Sequence, residues 1–398
     1  MSQLTFFEIQ SSSAQTFPER RQIGYGRARL WLGITTVGTI VTVASLGLIF
    51  KTSGFFERFT ESFRLGPEFS LLVFVLSYAI IHLPFDIVGG YILPKHFKRS
   101  HPPLADFLVG LLRGVAGHTL ILFVTAIAIN LAGRWGGLPL TIATSSVIVL
   151  LLLLGRLTFA SLIAQLNFRD SAANFAGNQT ALPIAYVKNR DEAFTGGVTG
   201  VFRPIGHIVP AKWYEMLNPE ELDFAIKRRT ISIETGSWRR GRVAAIVFTL
   251  TGLTIACYLV GKNRLGTVGG TIDLSFWFTL WSFIGLLSLP TLNRRSVSAI
   301  DNLARVDGTT FDVLISATRR LDELLDGEQQ RPGIVETIFH PIPSVENRIR
   351  GQSTHLRTSC WDVARTTVYV SLSGMGLLSR AVHCNCGRPS LWVFLPVD

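Results

Sequence analysis

A short cluster of soft metal ligands near the end of the chain is the most compact group of residues that could do chemistry. His383, Cys384 and Cys386 form the pattern H-C-x-C. Thiolates beside an imidazole can bind a metal ion or take part in redox chemistry. A complete metal site needs further ligands, and Cys360 is the other cysteine close in sequence that could supply one. We therefore expect free thiols here and no bound metal.

Ionisable residues within or beside apolar stretches form a second group. His82, Asp86 and His118 lie in such stretches. Ionisable groups inside a membrane often mark an ion or proton path, which would suit a transporter or a lipid-handling protein. The alternative is a structural ion pair, with Lys95 and Arg113 as the nearest cations in sequence. We expect the ion pair.

Motifs for nucleotide or nucleic-acid chemistry are absent from the sequence. The chain has no phosphate-binding glycine loop, no dinucleotide fingerprint, no G-x-S-x-G elbow and no nucleic-acid module. Neither a nucleotide nor a nucleic acid is expected as a partner.

The composition decides what kind of protein must position these residues. Of 398 residues, 48% are hydrophobic and 16% are charged, whereas soluble domains carry about 25% charged residues. With four cysteines and this much apolar sequence, a disulfide scaffold and a disordered chain are both excluded. The net charge of +11 fits basic cytoplasmic loops in an apolar chain. The sequence predicts a polytopic membrane protein, with the lipid bilayer as its first partner.

Six stretches are apolar over the roughly 20 residues that a membrane helix needs. They are residues 30–50, 70–92, 114–132, 139–155, 243–261 and 274–293. Lysine and arginine gather before the first stretch, between the second and third, and around the last two. Because basic residues mark cytoplasmic flanks, both termini are expected in the cytoplasm. We expect a bacterial inner membrane.

The predicted fold class is a mostly α membrane protein with about six transmembrane helices and a cytosolic α+β domain with a small sheet. Short strands are predicted before a helix that starts at Asn218, a good N-cap followed by Pro219. The expected divisions, in chain order, are a cytosolic segment (1–29), a four-span membrane domain (30–164), the first half of the cytosolic domain (165–242), an inserted two-span hairpin (243–293) and the second half of that domain (294–398).

Four segments carry a resemblance to a known family. In chain order they read EAFTGG, IVPAKWYEMLNPEELDFAI, SVSAIDNLA and HPIPSVENRI, with the two-span hairpin between the second and third. Over roughly residues 192–350 the chain resembles the integral-membrane zinc metallopeptidases of the CAAX prenyl endopeptidase and HtpX type. The resemblance implies a zincin-like cytosolic domain. It also implies an edge strand that accepts a peptide by strand addition, at Phe194, Thr195, Gly196 and Gly197.

The chain departs from the family at the zinc site. The motif H-E-x-x-H places two ligands one turn apart, with a glutamate as general base. Its ligand positions fall here on Arg228 and Ser232, its base on Arg229 and the third ligand on Val297, whereas the supporting Asp301 is kept. Arginine cannot lose its proton and would repel Zn²⁺. No zinc, and no other cofactor, is therefore expected.

Two interpretations of the new arginines stay open. Arg228 and Asp301 could form a direct, charge-assisted ion pair between their helices. Alternatively, Arg228 and Arg229 could belong to an exposed basic stretch with Lys227.

The terminal family signature is also altered. His340 and Arg348 correspond to family residues that line the cleft, but their spacing is two residues longer than the family's usual one. A preserved cleft and a remnant loop both remain open.

The function expected from these observations is non-catalytic binding of peptides or membrane-protein partners by a metallopeptidase-like membrane protein. One alternative is an active metalloendopeptidase that cleaves membrane or prenylated peptides and binds zinc through other ligands. The other is a transporter or a lipid-handling protein.

Overall fold

Helices make up most of the structure, a computed structural model that describes residues 24–63, 66–168, 182–325, 327–350, 357–382 and 385–396. The helices are α1 (Tyr25–Ile49), α2 (Ser53–Phe63), α3 (Pro67–Ile87), α4 (Leu93–His96), α5 (Leu104–Leu154), α6 (Arg156–Ala164), α7 (Ala211–Met216), α8 (Pro219–Glu234), α9 (Ser237–Val260), α10 (Val268–Val306), α11 (Phe311–Leu325), α12 (Gly333–Phe339), α13 (Val345–Arg350), α14 (Val363–Val370) and α15 (Pro389–Val393). A π-helical turn, Val88–Ile92, joins α3 to α4. The strands are β1 (Ile184–Val187), β2 (Gly197–Gly200) and β3 (Pro204–Pro210). The predicted mostly α fold is confirmed.

Within the described residues, five helical segments are long and apolar enough to cross a membrane. They are Tyr25–Ile49, Pro67–His96, Leu104–Leu154, Ser237–Val260 and Val268–Val306. Large apolar side chains project from them, among them Ile80 at 67%, Leu112 at 71% and Val247 at 58% exposure. Such surfaces are unfavourable in water and suit lipid chains. The chain is a multi-pass membrane protein.

The third of these segments is bent back on itself. Gly137 interrupts α5 with φ +56° and ψ −142°, a conformation that glycine adopts without a steric penalty. In a straight helix, residues 113 and 162 would lie about 70 Å apart. Instead the Arg113 Nε donates to the Leu162 carbonyl at 2.7 Å. The chain therefore reverses at Gly137, between the predicted stretches 114–132 and 139–155.

The last apolar stretch continues without interruption into a charged helical segment. α10 spans 39 residues, so the predicted apolar stretch 274–293 and the charged helix after it are one rod. Its first turn is capped by the Thr267 hydroxyl, which accepts from the Gly270 N–H at 2.9 Å. This continuity carries Asp301 away from the apolar stretch, toward the sheet and α8.

A three-stranded sheet and α8 form the framework of the soluble part in the described residues. The strand order is β1-β3-β2, with β1 parallel and β2 antiparallel to β3. α8 begins with a capping box, in which Asn218 and Glu221 each accept from the other's backbone N–H. The predicted strands and the predicted helix start are confirmed.

The C-terminal segment, residues 357–396, packs among the apolar helices. Ser275 of α10 donates its hydroxyl to the Met375 carbonyl at 2.7 Å, and Ser145 of α5 donates to the Ser373 carbonyl at 2.8 Å. α14 within this segment is buried along its whole length. The segment belongs to the expected division 294–398. Its apolar side chains are buried against α5, α9 and α10.

A buried ion pair attaches this segment to α3. Asp86 and Arg380 form a salt bridge in which neither side chain is exposed. The Gly387 N–H donates to the other Asp86 oxygen at 2.8 Å, and the Arg380 guanidinium lies 4.7 Å from the centre of the Trp392 ring. The expected structural ion pair is present, but its cation is neither Lys95 nor Arg113.

We expect Asp86→Asn to destabilise the protein by about 3–5 kcal/mol, because it leaves Arg380 charged and buried without its carboxylate. Thermal unfolding in detergent measures this. Asp106→Asn is the control, because the Asp106–Arg190 pair has side chains that are 49% and 76% exposed and such pairs contribute at most about 1 kcal/mol. Equal losses in the two variants would contradict the prediction.

Candidate functional site

The positions predicted from the altered zinc motif lie on two facing helices, α8 and α10. At one end, the Arg228 Nε donates to Asp301 Oδ1 at 2.6 Å. At the other, the hydroxyl of Ser237, the first residue of α9, is hydrogen-bonded to that of Ser296 at 2.6 Å. The remaining three predicted positions, Arg229, Ser232 and Val297, are all buried. Spacing along the two helices therefore brings the predicted positions together.

Asp301 is the centre of a buried ionic cluster. Besides Arg228, it accepts from Arg348, whose Nε lies 2.7 Å from Oδ2 and whose Nη2 lies 3.0 Å from Oδ1. The three side chains are at most 4% exposed. The ion pair between Arg228 and Asp301 is present, and the alternative of an exposed basic stretch is wrong for Arg228 and Arg229, which are both fully buried.

The charge state of this cluster follows from its surroundings. Asp301 lies beyond the apolar part of α10. Burial raises the pKa of the Asp301 carboxyl, but Arg228 and Arg348 lower it by more, so its pKa lies below the ordinary value. Asp301 is therefore a carboxylate at neutral pH, and it bridges the two guanidinium groups.

Arg229, at the position of the family's general base, connects α8 to the sheet. Its Nη1 donates to the Ile208 carbonyl at 2.7 Å, and its Nη2 donates to the Thr195 carbonyl at 2.6 Å. Its guanidinium lies 5.2 Å from the centre of the Trp213 ring. A permanently charged donor engaged in this way cannot accept a proton, so Arg229 has a structural role.

The expected peptide-binding edge is closed in this structure. Phe194 and Thr195 are 0% and 2% exposed, and Gly196 and Gly197 are also buried. The carbonyl of Thr195, just before β2, accepts from Arg229, and the carbonyl of Val198 in β2 accepts from Arg242 Nη2 at 3.0 Å. Because β2 is covered, the half-buried β1 is the edge strand with exposed surface.

The two predicted cleft residues line one cavity. His340 and Arg348 both border a space of about 90 Å³ between α10, α11 and α14. His340 is 3% exposed, and its carbonyl accepts from Arg294 Nη1 at 3.0 Å. Arg348 also binds Asp301, so it joins the cavity to the ionic cluster.

The C-terminal cysteine cluster is only partly described. His383 and Cys384 lie outside the described residues, whereas Cys386 is buried and its thiol donates to the Arg380 carbonyl at 3.6 Å. Within the described part of the chain, no three His, Cys, Asp or Glu side chains converge as a metal site would require.

Several buried arginines that the sequence motifs did not indicate organise the site. Arg242 contacts the sheet, Arg380 pairs with Asp86, and Arg29 and Arg365 line the cavity. The sequence around Arg242 and Arg380 could have indicated that these two arginines are buried and paired. Each lies beside a long apolar run, where a guanidinium requires carboxylate or carbonyl partners.

Together, the fold and this cluster define a class: an α-helical multi-pass membrane protein with a small sheet and a buried arginine–aspartate centre. No protein-family model matches the chain. No curated protein matches it in sequence. The likeness to membrane metallopeptidases therefore depends on the motifs of the chain itself.

The stability of the protein should depend on Asp301 in a pH-dependent way. Its folded pKa lies below the unfolded value of about 3.9, so its ion pairs stabilise the fold fully above that pH and progressively less as pH falls through the folded pKa. At pH 7 we expect Asp301→Asn to lower the free energy of unfolding by about 3–5 kcal/mol. The deficit should shrink below about pH 4. Denaturant unfolding from pH 7 to pH 3 measures it.

The matched control for this experiment is Asp307→Asn, since Asp307 lies near the end of the same helix and its side chain is 68% exposed. A deficit for Asp301→Asn that did not change with pH, or that equalled the effect of Asp307→Asn, would contradict the prediction.

Proposed function

We propose that the chain is a metallopeptidase-like membrane protein that does not cleave peptides and acts by binding a membrane-protein partner. The observation that carries this proposal is the Arg228–Asp301–Arg348 cluster. It fills the space between α8 and α10 where the resemblance would place a metal. A peptidase of that type needs two neutral imidazoles and a free carboxylate there, and the chain supplies two guanidinium groups and a carboxylate that both of them bind.

The geometry of the sheet favours β1 over β2 as the strand to which a partner would bind. Strand addition needs an edge with accessible backbone groups, and β2 is buried along its length, with its Val198 carbonyl bound by Arg242. β1, which is half-buried, is the better candidate for a partner segment. The exposed apolar faces of the membrane helices offer a second surface for a membrane protein.

We also propose six membrane crossings, with both termini in the cytoplasm of a bacterial cell. Support for the sixth comes from the reversal of α5 at Gly137, which divides one long apolar segment into two antiparallel arms. Support for the orientation comes from the distribution of lysine and arginine in the loops.

Cysteine labelling tests this topology. Trp135 is 75% exposed beside the α5 reversal, and Ile334 is 77% exposed in α12. In intact cells, a membrane-impermeant maleimide should label Trp135→Cys above the wild-type background. The matched variant Ile334→Cys should be labelled only after lysis, because it lies on the cytoplasmic side. Labelling of both variants or of neither in intact cells would contradict the proposed crossings.

Metal analysis and a cleavage assay separate the proposal from an active metalloendopeptidase. For the purified full chain we expect zinc well below one ion per protein and no chelator-sensitive cleavage of an unfolded membrane protein. Stoichiometric zinc together with chelator-sensitive cleavage would overturn the proposal.

A rebuilt variant provides the matched comparison for that assay. It restores the ligand and base types at the facing positions through Arg228→His, Arg229→Glu, Ser232→His and Val297→Glu. Because these positions lie on two facing helices, we expect this variant to bind zinc where the wild type does not. Circular dichroism and size-exclusion chromatography establish that it is folded.

A further inference from the structure

A cavity several times larger than the one beside the ionic cluster lies beyond the end of β1. Its volume is about 630 Å³, against about 90 Å³ for the other. Since one water molecule needs roughly 10–15 Å³ in the same measure, this cavity has room for a ligand. Five parts of the chain surround it: residues 90–102, the start of α5 at 106–111, the end of α6 and the turn after it at 163–166, the loop 188–191, and residues 387–390.

The start of α5 separates this cavity from the lipid. Leu108, Val109 and Leu112 are apolar and 43%, 64% and 71% exposed, which suits contact with lipid chains, and Val109 also borders the cavity. The apolar stretch 114–132 follows directly, whereas the basic loop 95–99 precedes α5. Because head groups lie where a spanning helix passes from apolar to charged sequence, the cavity lies at head-group depth, on the side of the membrane that carries the basic loops.

Charged side chains of both signs stand in the cavity wall. Arg190 Nη1 donates to Asp106 Oδ2 at 2.8 Å, and these two side chains are 76% and 49% exposed. Arg388 and Asp191 form a less exposed pair at 3.5 Å. Lys188 is exposed and enters no ion pair in the described part of the chain. These five are the charged side chains of the described lining, so the wall offers carboxylates and cations to the same ligand.

Contacts behind the wall hold its inner part in place without adding net charge. Arg388 Nη2 donates to the Tyr25 hydroxyl at 2.9 Å. The N–H of Gly387, which borders the cavity, donates to the Asp86 carboxylate, and that carboxylate pairs with Arg380. The mixture of signs in the wall is therefore part of the folded structure.

The inner surface of the cavity is apolar. Phe107, Leu111, Ile163 and Leu166 belong to the lining and are buried. Together with the exposed face of α5, they place apolar surface next to the charged groups. A ligand that matches this cavity therefore combines a small group of both charges with apolar chains.

We propose that this cavity binds the head group of a phospholipid that carries both a phosphate and a primary ammonium, as phosphatidylethanolamine does. Lysine and arginine bind phosphate through charge-assisted hydrogen bonds, which assigns the phosphate to Lys188 and Arg190. A primary ammonium has three N–H donors, and the carboxylates of Asp106 and Asp191 accept from them. The acyl chains lie along the exposed apolar face of α5. The site does not depend on whether the protein cleaves peptides or binds a partner, so it is tested separately from the proposed function.

Titration of short-chain lipids into the purified full chain tests the proposal. The dihexanoyl forms of phosphatidylethanolamine, phosphatidylcholine and phosphatidylglycerol are compared with free phosphoethanolamine by isothermal titration calorimetry. We expect phosphatidylethanolamine to bind at least about tenfold more tightly than each of the others. Phosphatidylcholine lacks the ammonium N–H donors, phosphatidylglycerol lacks the ammonium, and phosphoethanolamine lacks the chains. Equal binding of either other lipid would overturn the recognition of an ammonium, and equal binding of phosphoethanolamine would overturn the lipid assignment.

Substitutions of exposed side chains then locate the site. Asp106→Asn removes an ammonium acceptor, so it should weaken phosphatidylethanolamine binding about tenfold and leave phosphatidylcholine binding at least as strong. Lys188→Gln removes a phosphate donor, so it should weaken the binding of both lipids. The controls Asp307→Asn and Lys262→Gln remove the same charges from exposed side chains outside the cavity, and they should leave both affinities unchanged. If Asp106→Asn and Lys188→Gln bind both lipids like the wild type, the cavity is not the site.

A measurement on the wild-type chain locates the lipid without any substitution. Phosphatidylethanolamine with a photoreactive group near its glycerol, in nanodiscs, should crosslink to peptides that contain residues 106–111 or 163–166, which line the cavity. Excess unlabelled phosphatidylethanolamine should suppress these crosslinks, and phosphatidylcholine should not. Crosslinks spread over the other membrane helices without enrichment in these peptides would overturn the assignment.

Discussion

A buried guanidinium group keeps its charge, and this constraint organises the whole molecule. Among the largest side chains with almost no exposed surface are five arginines: Arg29, Arg228, Arg229, Arg242 and Arg380. Since arginine cannot lose its proton, each must be surrounded by carboxylates, carbonyls or aromatic faces. Those partners come from parts of the chain far apart in sequence. Asp86 and Arg380, for example, are separated by 294 residues, so the same contacts that satisfy the charges also join the membrane helices, the sheet and the C-terminal segment.

The same constraint explains how α8 and α10 are held together. Arg228 of α8 and Asp301 of α10 face each other and meet as an ion pair. The Asp301 carboxylate neutralises part of the charge of Arg228 and Arg348. Arg229 adds a second connection, from α8 to the carbonyls of the sheet. The helix arrangement is compatible with the resemblance, and its present residues stabilise it by ion pairing.

Helix starts and membrane helices could be predicted from the sequence because they depend on interactions within one short segment. The start of α8 depends on Asn218, Pro219 and Glu221, which act within one helical turn. The apolar stretches likewise predict membrane helices from length and composition alone. The convergence of Arg228 and Asp301 also followed from spacing on two helices, once the resemblance had placed those helices side by side. The number of crossings depended on one glycine, Gly137, whose left-handed conformation reverses α5.

The sequence by itself determined the class of the protein and the starts of its helices, because composition and capping are properties of short segments. Only the tertiary structure decided which charges meet. It placed residues 357–382 and 385–396 among the apolar helices, paired Asp86 with Arg380, bound Val198 of β2 to Arg242, and gathered four arginines around one cavity. The physical reason is that electrostatic pairing acts over a few ångströms in space, whatever the separation along the chain.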